Sequence, residues 1–240
     1  MKTIKFLALS VVVLLFTSCN FDINLGQTNG NGNVVTQDRI EGESFDEVRG
    51  SAGLDVFLTE GAETKVTVEA DENLQEIIET RIDGGKLIIT TNANIGRSVA
   101  KKVYVTYTGL KSIEASSGAD VIGNSVIKSE SLNLDASSGA DLEVEIFSKE
   151  VFAETSSGAD IKVTGKASSL RADASSGSDL NAKNLIVATC NAEASSGADI
   201  TVNVKDKLTA SASSGGDINY YGNPSAVNNK SSRSGGLNKM

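Results

Sequence analysis

The sequence predicts an all-β fold, a parallel β-helix (solenoid) with coils of about 20 residues, preceded by additional strands and a hairpin. A six-residue phrase, Ala/Thr-Ser-Ser-Gly-x-Asp, occurs six times, and its glycines lie 21, 19, 19, 20 and 18 residues apart. Between the phrases every second residue is apolar or small, which is the period of a strand and not of a helix. A repeat of about 20 residues indicates a solenoid in which each unit buries its apolar side on the next.

The repeated phrase begins at Ala115, and a degenerate copy at 50–55 precedes it. Stacked coils lie ~4.8 Å apart, so equivalent residues are expected to form columns along the solenoid. If alternation continues through the phrase, the first serine and the aspartate point outward and the second serine points inward beside the bend. The expected inward column is Ser117, Ser138, Ser157, Ser176, Ser196 and Ser214.

The chain before the repeats contains shorter β patterns. Strands are predicted at 56–58, 66–68 and 103–105, where apolar and β-branched residues dominate. Residues 81–90 predict a hairpin that turns at an Asp-Gly-Gly sequence. Residues 71–78 are consistent with one or two helical turns that begin at an aspartate.

The N-terminus has the features of an export signal. Lys2 and Lys5 precede an almost unbroken apolar run at 6–16, which is too short to span a bilayer but long enough for a signal-peptide core. The run ends in Thr-Ser-Cys, which resembles the lipobox of bacterial lipoproteins, where the cysteine thiol is acylated and becomes the first residue after cleavage. We therefore expect lipidation at Cys19; an ordinary secretory peptide cut near Ser18 is the alternative.

These patterns divide the chain into four parts: a signal peptide over 1–18, a flexible tether rich in Asn and Gly over 19–42, the β-helix over 43–224, and a polar, frayed tail over 225–240. The second cysteine, Cys190, has no partner at metal-binding spacing. It is expected to be a small buried residue.

The composition excludes several classes of function. The chain has no histidine, so Ser-His-Asp triads, imidazole metal sites and histidine acid–base catalysis are excluded. It has 22 basic and 31 acidic residues, a formal charge of −9, and no basic stripe. We therefore expect no nucleic-acid partner. Arg171 is the one arginine inside the repeats, and no constellation interrupts the columns, so no catalytic residue is expected.

The outward residues of the repeats form a candidate binding strip. Its members are Ser116, Asp120, Ser137, Asp141, Ser156, Asp160, Ser175, Asp179, Ser195, Asp199 and Asp217. A second acidic column, four residues before each repeat glycine, contains Glu114, Asp135, Glu154, Asp173 and Glu193, and Ser211 ends it. Two unit charges ~4.8 Å apart repel by ~0.9 kcal/mol in water, so the five neighbouring aspartate pairs cost roughly 4 kcal/mol before screening.

This repulsion must be compensated in one of two ways. Solvent, salt, lysines such as Lys162 and Lys183, and hydrogen bonds from the bend amides would suffice. A row of Ca²⁺ ions between the carboxylates is the alternative. The Gly-x-Asp sequence is similar to calcium-binding β-roll repeats, but the period here is twice theirs and the apolar residue follows Asp by one place instead of two. We therefore expect no cofactor and no metal site.

Several motifs accompany the repeats. They are Phe45-x-x-Val48, Gly53-Leu-Asp-Val-Phe-Leu58, Gly61, Val66-Thr-Val-Glu-Ala-Asp-Glu-Asn-Leu74, Asp83-Gly-Gly-Lys-Leu-Ile-Ile89 and Tyr220-Tyr-Gly-Asn-Pro224. In combination they resemble the head GIN domain family of putative auto-transporter adhesins, over roughly 43–224. The resemblance implies a β-helical body in the cell envelope and supplies no catalytic residues.

We therefore expect a non-enzymatic, lipid-anchored β-solenoid of the bacterial cell envelope, an outer-membrane lipoprotein in either leaflet. It is held to the membrane by lipid at Cys19 and acts as an adhesin or surface-binding protein for a glycan or protein ligand. An envelope scaffold without a specific ligand is the alternative. A calcium-dependent, polysaccharide-active enzyme is a minor alternative, since some β-helices cleave acidic polysaccharides.

Overall fold

The structure, a computed structural model, describes residues 26–240, which form strands and one short 3₁₀-helix. Within these residues no helix has the length and apolarity needed to cross a bilayer. The predicted signal peptide and Cys19 lie outside the described residues. The elements are β1 (Gln27–Thr28), β2 (Val34–Glu41), β3 (Glu47–Gly50), β4 (Asp55–Glu60), β5 (Lys65–Asp71), η1 (Glu72–Leu74), β6 (Ile78–Asp83), β7 (Lys86–Thr91), β8 (Asn94–Ile95), β9 (Lys101–Tyr107), β10 (Ser112–Ala115), β11 (Asp120–Gly123), β12 (Ile127–Ala136), β13 (Asp141–Thr155), β14 (Asp160–Ala174), β15 (Asp179–Ala194), β16 (Asp199–Ala212), β17 (Asp217–Tyr221), β18 (Ala226–Asn229) and β19 (Gly236–Lys239).

From β10 onward the strands pair in parallel with those of neighbouring coils, which confirms the predicted parallel β-helix. β13, for example, pairs along its length with β12 and β14, and Asp141 lies beside Asp160. A typical coil is one long, bent strand that starts at the repeat aspartate and ends immediately before the next Ser-Ser-Gly. The solenoid has about seven turns with coils of about 19 residues.

The core lies inside the coils. The inward apolar residues of β13 are at most 3% exposed: Leu142, Val144, Ile146, Val151 and Ala153. Next to the Ser-Ser-Gly corners the inward residues are mainly alanine, and farther away they are Leu, Ile and Val. Each coil buries its apolar side on the next, as the repeat period requires.

β3 and β4 form the first coil, which is flanked by strands that pair with it in parallel and by antiparallel strands beyond them. On one side β9 pairs with β4, β5 with β9, and β2 with β5; on the other, β7 pairs with β3 and forms the predicted hairpin with β6. The hairpin turns at Gly84 and Gly85, whose φ angles of 59° and 84° suit a type I′ turn. The strands predicted at 56–58, 66–68 and 103–105 are confirmed as parts of β4, β5 and β9.

The predicted helical segment is only the three-residue η1, and the side chain of Asp71 does not cap it. The Asp71 carboxylate is buried and accepts hydrogen bonds from the amides of Gly32 (2.5 Å), Val99 (2.8 Å) and Ala100 (3.0 Å). These bonds, the Ala100 amide first, lower the pKa of Asp71. Asp71 therefore joins three segments that are distant in sequence.

Two segments that were predicted to be flexible form strands. Residues 26–42, assigned to the tether, contain β1 and β2, and Ile40 of β2 is buried in the core. The tail over 225–240 forms β18 and β19, which pair with β16 and β17 as a further coil. Both predictions relied on polar composition. These strands are held instead by main-chain hydrogen bonds to a sheet edge, which composition does not reveal.

Candidate functional site

Each Ser-Ser-Gly corner is a tight backbone turn. At Ser157 and Gly158 the φ angles are 56° and 70°, and the Ala159 amide donates to the Ser156 carbonyl at 3.2 Å. Positive φ at both central residues and this hydrogen bond are the features of a type I′ turn. Glycine has no Cβ to oppose positive φ, which explains its presence in all six phrases.

The prediction of an inward column of second serines is wrong. Because the turn reverses the chain, alternation does not continue through it, and these serines are exposed at the tips of the corners: Ser117, Ser138, Ser157, Ser176, Ser196 and Ser214. The first serines, expected to point outward, are largely covered, and Ser116 is only 9% exposed. The Ser-Gly dipeptide between two strand patterns is the sequence signal for this turn.

Main-chain hydrogen bonds stack the corners. The Gly139 amide donates to the Ser157 carbonyl of the next coil at 3.1 Å, and the Ser156 amide donates to the Ala136 carbonyl of the previous coil at 3.0 Å. Equivalent bonds join the other corners. The hydroxyl groups of the second serines are therefore not required for stacking and face solvent.

The aspartates form an exposed column, here called the aspartate ladder, with one more member than predicted. The parallel register places these residues side by side: Asp55, Asp120, Asp141, Asp160, Asp179, Asp199 and Asp217. The additional member, Asp55, comes from the degenerate copy of the phrase. Lys102 lies beside Asp55 at one end, and Gly236 lies beside Asp217 at the other.

No salt bridge within residues 26–240 reaches the ladder. Burial, followed by the charges of neighbouring aspartates, raises the pKa values of Asp141 and Asp179. Lys162 pairs instead with Glu143 at 2.6 Å, and Lys183 lies over a tyrosine ring, 4.6 Å from its centroid. In the described part of the chain no bend amide donates to a ladder carboxylate. The expected compensation by lysines and amides is therefore wrong, which leaves solvent and ions.

The second acidic column follows the other side of the corners, in the predicted order. Its register places Glu114, Asp135, Glu154, Asp173 and Glu193 between Arg49 and Ser211. Arg171 Nε donates to Asp173 at 2.9 Å. Burial, followed by the charges of Glu154 and Glu114, raises the pKa of Asp135. Unlike the ladder, this column is partly neutralised by cationic side chains.

The aspartate ladder and the corner serines present one hydrogen-bonding side chain of each kind per coil, and these side chains do not converge on one point. Among the described residues no three Asp, Glu or Cys side chains converge in a way that would hold a metal ion. Cys190 is buried as predicted, and burial raises the pKa of its thiol to about 12, so it is not a nucleophile at neutral pH. The arrangement suits a ligand that lies parallel to the solenoid axis and crosses several coils.

Several solved structures share this fold. They include a putative adhesin from Bacteroides fragilis NCTC 9343 (TM-score 0.82, 16% identity, covering 89% of this chain and 100% of that one). A putative adhesin from Parabacteroides merdae ATCC 43184 has a TM-score of 0.71 and 20% identity, covering 90% and 99%. A putative lipid binding protein from Parabacteroides distasonis ATCC 8503 has a TM-score of 0.68 and 19% identity, covering 89% and 99%. No curated protein matches the chain.

The family is established from the sequence. The family described as putative auto-transporter adhesin, head GIN domain, matches residues 44–224. This range contains the antiparallel strands β5, β6, β7 and β9, the first coil and all six Ser-Ser-Gly corners. The chain therefore belongs to the putative auto-transporter adhesin family, as a head GIN domain protein.

Proposed function

We propose that this protein is a non-enzymatic, lipid-anchored adhesin of the bacterial outer membrane that binds a glycan or protein through the tips of its corners. The family and its adhesin relatives support a role at the cell envelope or surface. The observation that carries the proposal is the aspartate ladder. It continues unbroken through seven coils although its carboxylates repel and have no salt-bridge partner within residues 26–240.

The corner serines support the same surface. A residue with a Cβ is disfavoured at positive φ by roughly 1–2 kcal/mol, and each corner has serine in this conformation. Glycine would adopt it without this cost. The exposed strip thus consists of the second serines and the aspartates, while the first serines of the predicted strip are largely covered. Repeated strain at an exposed site is characteristic of a functional surface.

The regular spacing explains how weak contacts would produce firm attachment. Equivalent groups recur every ~4.8 Å along the solenoid. A repeating ligand that contacts several corners binds them intramolecularly after the first, so the affinities act together. The ladder accepts hydrogen bonds and repels anions, which favours a hydroxylated or cationic ligand.

The test replaces Asp141, Asp160 and Asp179 by Asn in cells that attach to host glycans, matrix or neighbouring bacteria. Attachment should fall while the purified variant keeps or gains thermal stability. Asp206→Asn, exposed but outside the ladder, is the matched control. Equal attachment of variant and wild-type cells would exclude the adhesive strip. Separately, Cys19→Ser should release the protein from the membrane fraction; a variant that stays there contradicts the lipid anchor.

An envelope scaffold without a specific ligand is the second candidate. The main-chain hydrogen bonds that stack the corners recur from coil to coil, which favours it. A scaffold predicts that the ladder variant loses stability and that attachment of the folded protein is unchanged. If Ca²⁺ occupies the ladder, chelation should lower the melting temperature (Tm) of the wild type and not that of the triple variant.

A further inference from the structure

We propose a second binding site, for a neutral oligosaccharide, with Phe152 at its centre. It lies on the face of the solenoid formed by the strand segments that come just before the Ser-Ser-Gly corners in sequence. It goes beyond the proposed function, because it uses a face other than the aspartate ladder and makes no use of the ladder residues. Phe152 is 44% exposed and stands in an outward column whose other nearby members are polar: Asn133, Arg171, Asn191 and Thr209. This is the point at which the face departs from its polar pattern.

Two shallow grooves meet at Phe152 and Arg171. One is lined by Asn133 and by the acidic column from Asp135 to Asp173. The other continues across Ser169, Thr189, Asn191, Lys207 and Thr209. The residues from Asn133 to Thr209 belong to five successive coils, so the grooves together extend ~19 Å along the solenoid axis. That length accommodates a short oligosaccharide and not only a single sugar.

The chemistry of these groups matches a sugar. An aromatic ring offers an apolar, electron-rich face, on which the C–H face of a pyranose can pack. Asn133 lies beside Phe152 in the neighbouring coil, and Glu154 follows Phe152 by two residues in the same strand. At the hydroxyl edge of the sugar the Asn133 amide can donate or accept hydrogen bonds, and the Glu154 carboxylate can accept them. The acidic side chains beside the grooves disfavour polyanions, and the cationic Arg171 and Lys207 in the same lining disfavour polycations, so the lining favours an uncharged ligand.

Asp173 provides independent support for a ligand, because one of its carboxylate oxygens lacks a hydrogen-bond donor from residues 26–240. Its Oδ2 accepts the hydrogen bond from Arg171 Nε at 2.9 Å. Its Oδ1 is buried and, within the described residues, has no hydrogen-bond partner. A buried acceptor without a donor is unfavourable, and a ligand hydroxyl in the groove would satisfy it. Arg171 thus holds the Asp173 carboxylate at the wall of the groove that Phe152 also lines, with one oxygen left unpaired in the described part of the chain.

The test is affinity electrophoresis of the full-length protein in detergent, in native gels that contain dextran, mannan, laminarin or xylan, with alginate as the anionic control. At least one neutral polymer should retard the wild type. Phe152→Ala should weaken that binding about tenfold, the upper range for one aromatic contact. The matched control is Phe147→Ala, in the same coil and 62% exposed, but on the other side of the bend at Lys149 and Glu150.

Asp173→Asn should also weaken binding, because the neutral amide no longer pairs with Arg171 and is not held in the groove wall. Its Tm should not fall, because the lost ion pair lies at the surface. The ladder variant with Asn at 141, 160 and 179 should bind as wild type does, which separates this site from the proposed function. The proposal is overturned if none of the four neutral polymers retards the protein. It is also overturned if alginate alone does so, or if Phe147→Ala and Phe152→Ala reduce binding equally.

Discussion

Removing charge from the centre of the aspartate ladder should stabilise the protein. The double variant Asp141→Asn/Asp179→Asn eliminates four repelling neighbour pairs, because these residues lie beside Asp120, Asp160 and Asp199. At ~4.8 Å each pair repels by ~0.9 kcal/mol in water, and physiological salt, with a Debye length of about 8 Å, reduces this by roughly half. The free energy of unfolding should therefore rise by about 2 kcal/mol.

Thermal unfolding followed by circular dichroism at neutral pH measures this gain. For a chain of this size, ~2 kcal/mol corresponds to a rise in Tm of roughly 4–8 °C. The gain should diminish at high salt. Asp206→Asn, between two lysines and outside the ladder, should leave Tm unchanged or lower it slightly. A lower Tm for the double variant would refute the reasoning and show that the ladder carboxylates have stabilising partners, such as bound cations.

The pH dependence should have the same origin. In the folded state the pKa values of Asp141 and Asp179 are raised above the ordinary value of 3.8, first by burial and then by neighbouring aspartates. The folded state therefore binds protons more tightly than the unfolded state does. The resulting stabilisation is complete below 3.8 and is lost as pH rises through the folded pKa values. As pH falls from neutral towards 3.8, the Tm difference between the double variant and wild type should shrink.

Three further predictions test the fold. Deleting the whole unit 136–154 should leave a folded, shorter β-protein, whereas deleting half of it should not, since its inward residues would face water; equal tolerance of both, by circular dichroism, contradicts the solenoid. Gly158→Ala should cost about 1–2 kcal/mol in urea unfolding, because φ is positive but the space is open. Gly165→Ala should cost more, since its Cβ would collide with the Ile146 carbonyl; equal costs contradict this. Cys190 should resist iodoacetamide at neutral pH until the protein unfolds; rapid labelling of folded protein contradicts its burial.

The solenoid could be predicted because two periods are visible in the sequence, one in the recurring Ser-Ser-Gly phrase and one in the alternation of apolar residues. The repeat of about 20 residues sets the coil, and the period of two sets which side of each strand is buried. The antiparallel strands near the N-terminus have no such repeat. β2 pairs with β5, and the segment just before β2 is fixed by the Asp71 carboxylate, which accepts hydrogen bonds from the amides of Gly32 and Val99, 39 and 28 residues away. Contacts of this kind are invisible to local patterns, so residues 26–42 were predicted to be a tether.

The candidate site was predictable only in part. Columns of aspartates follow from equal spacing, because one register relates every coil. The orientation of the serines does not, because it depends on two positive φ angles that interrupt the alternation at each corner. The partners of Lys162 and Lys183 depend on side-chain reach across coils, which spacing does not determine. Phe152 and Arg171 look scattered in the sequence, yet they are 19 residues apart, one coil length, and are therefore neighbours.

A repeat fold separates the residues that build it from those that do not. In this solenoid the inward apolar columns and the main-chain bonds at the corners are sufficient to stack the coils. Outward side chains are then free to vary without loss of the fold. An outward feature therefore requires a functional explanation in two cases. One is a costly feature that recurs in every coil, as the aspartate ladder does. The other is a local departure from the pattern, as Phe152 and Arg171 are. The first suits attachment to an extended, repeating ligand, and the second suits recognition of a short one.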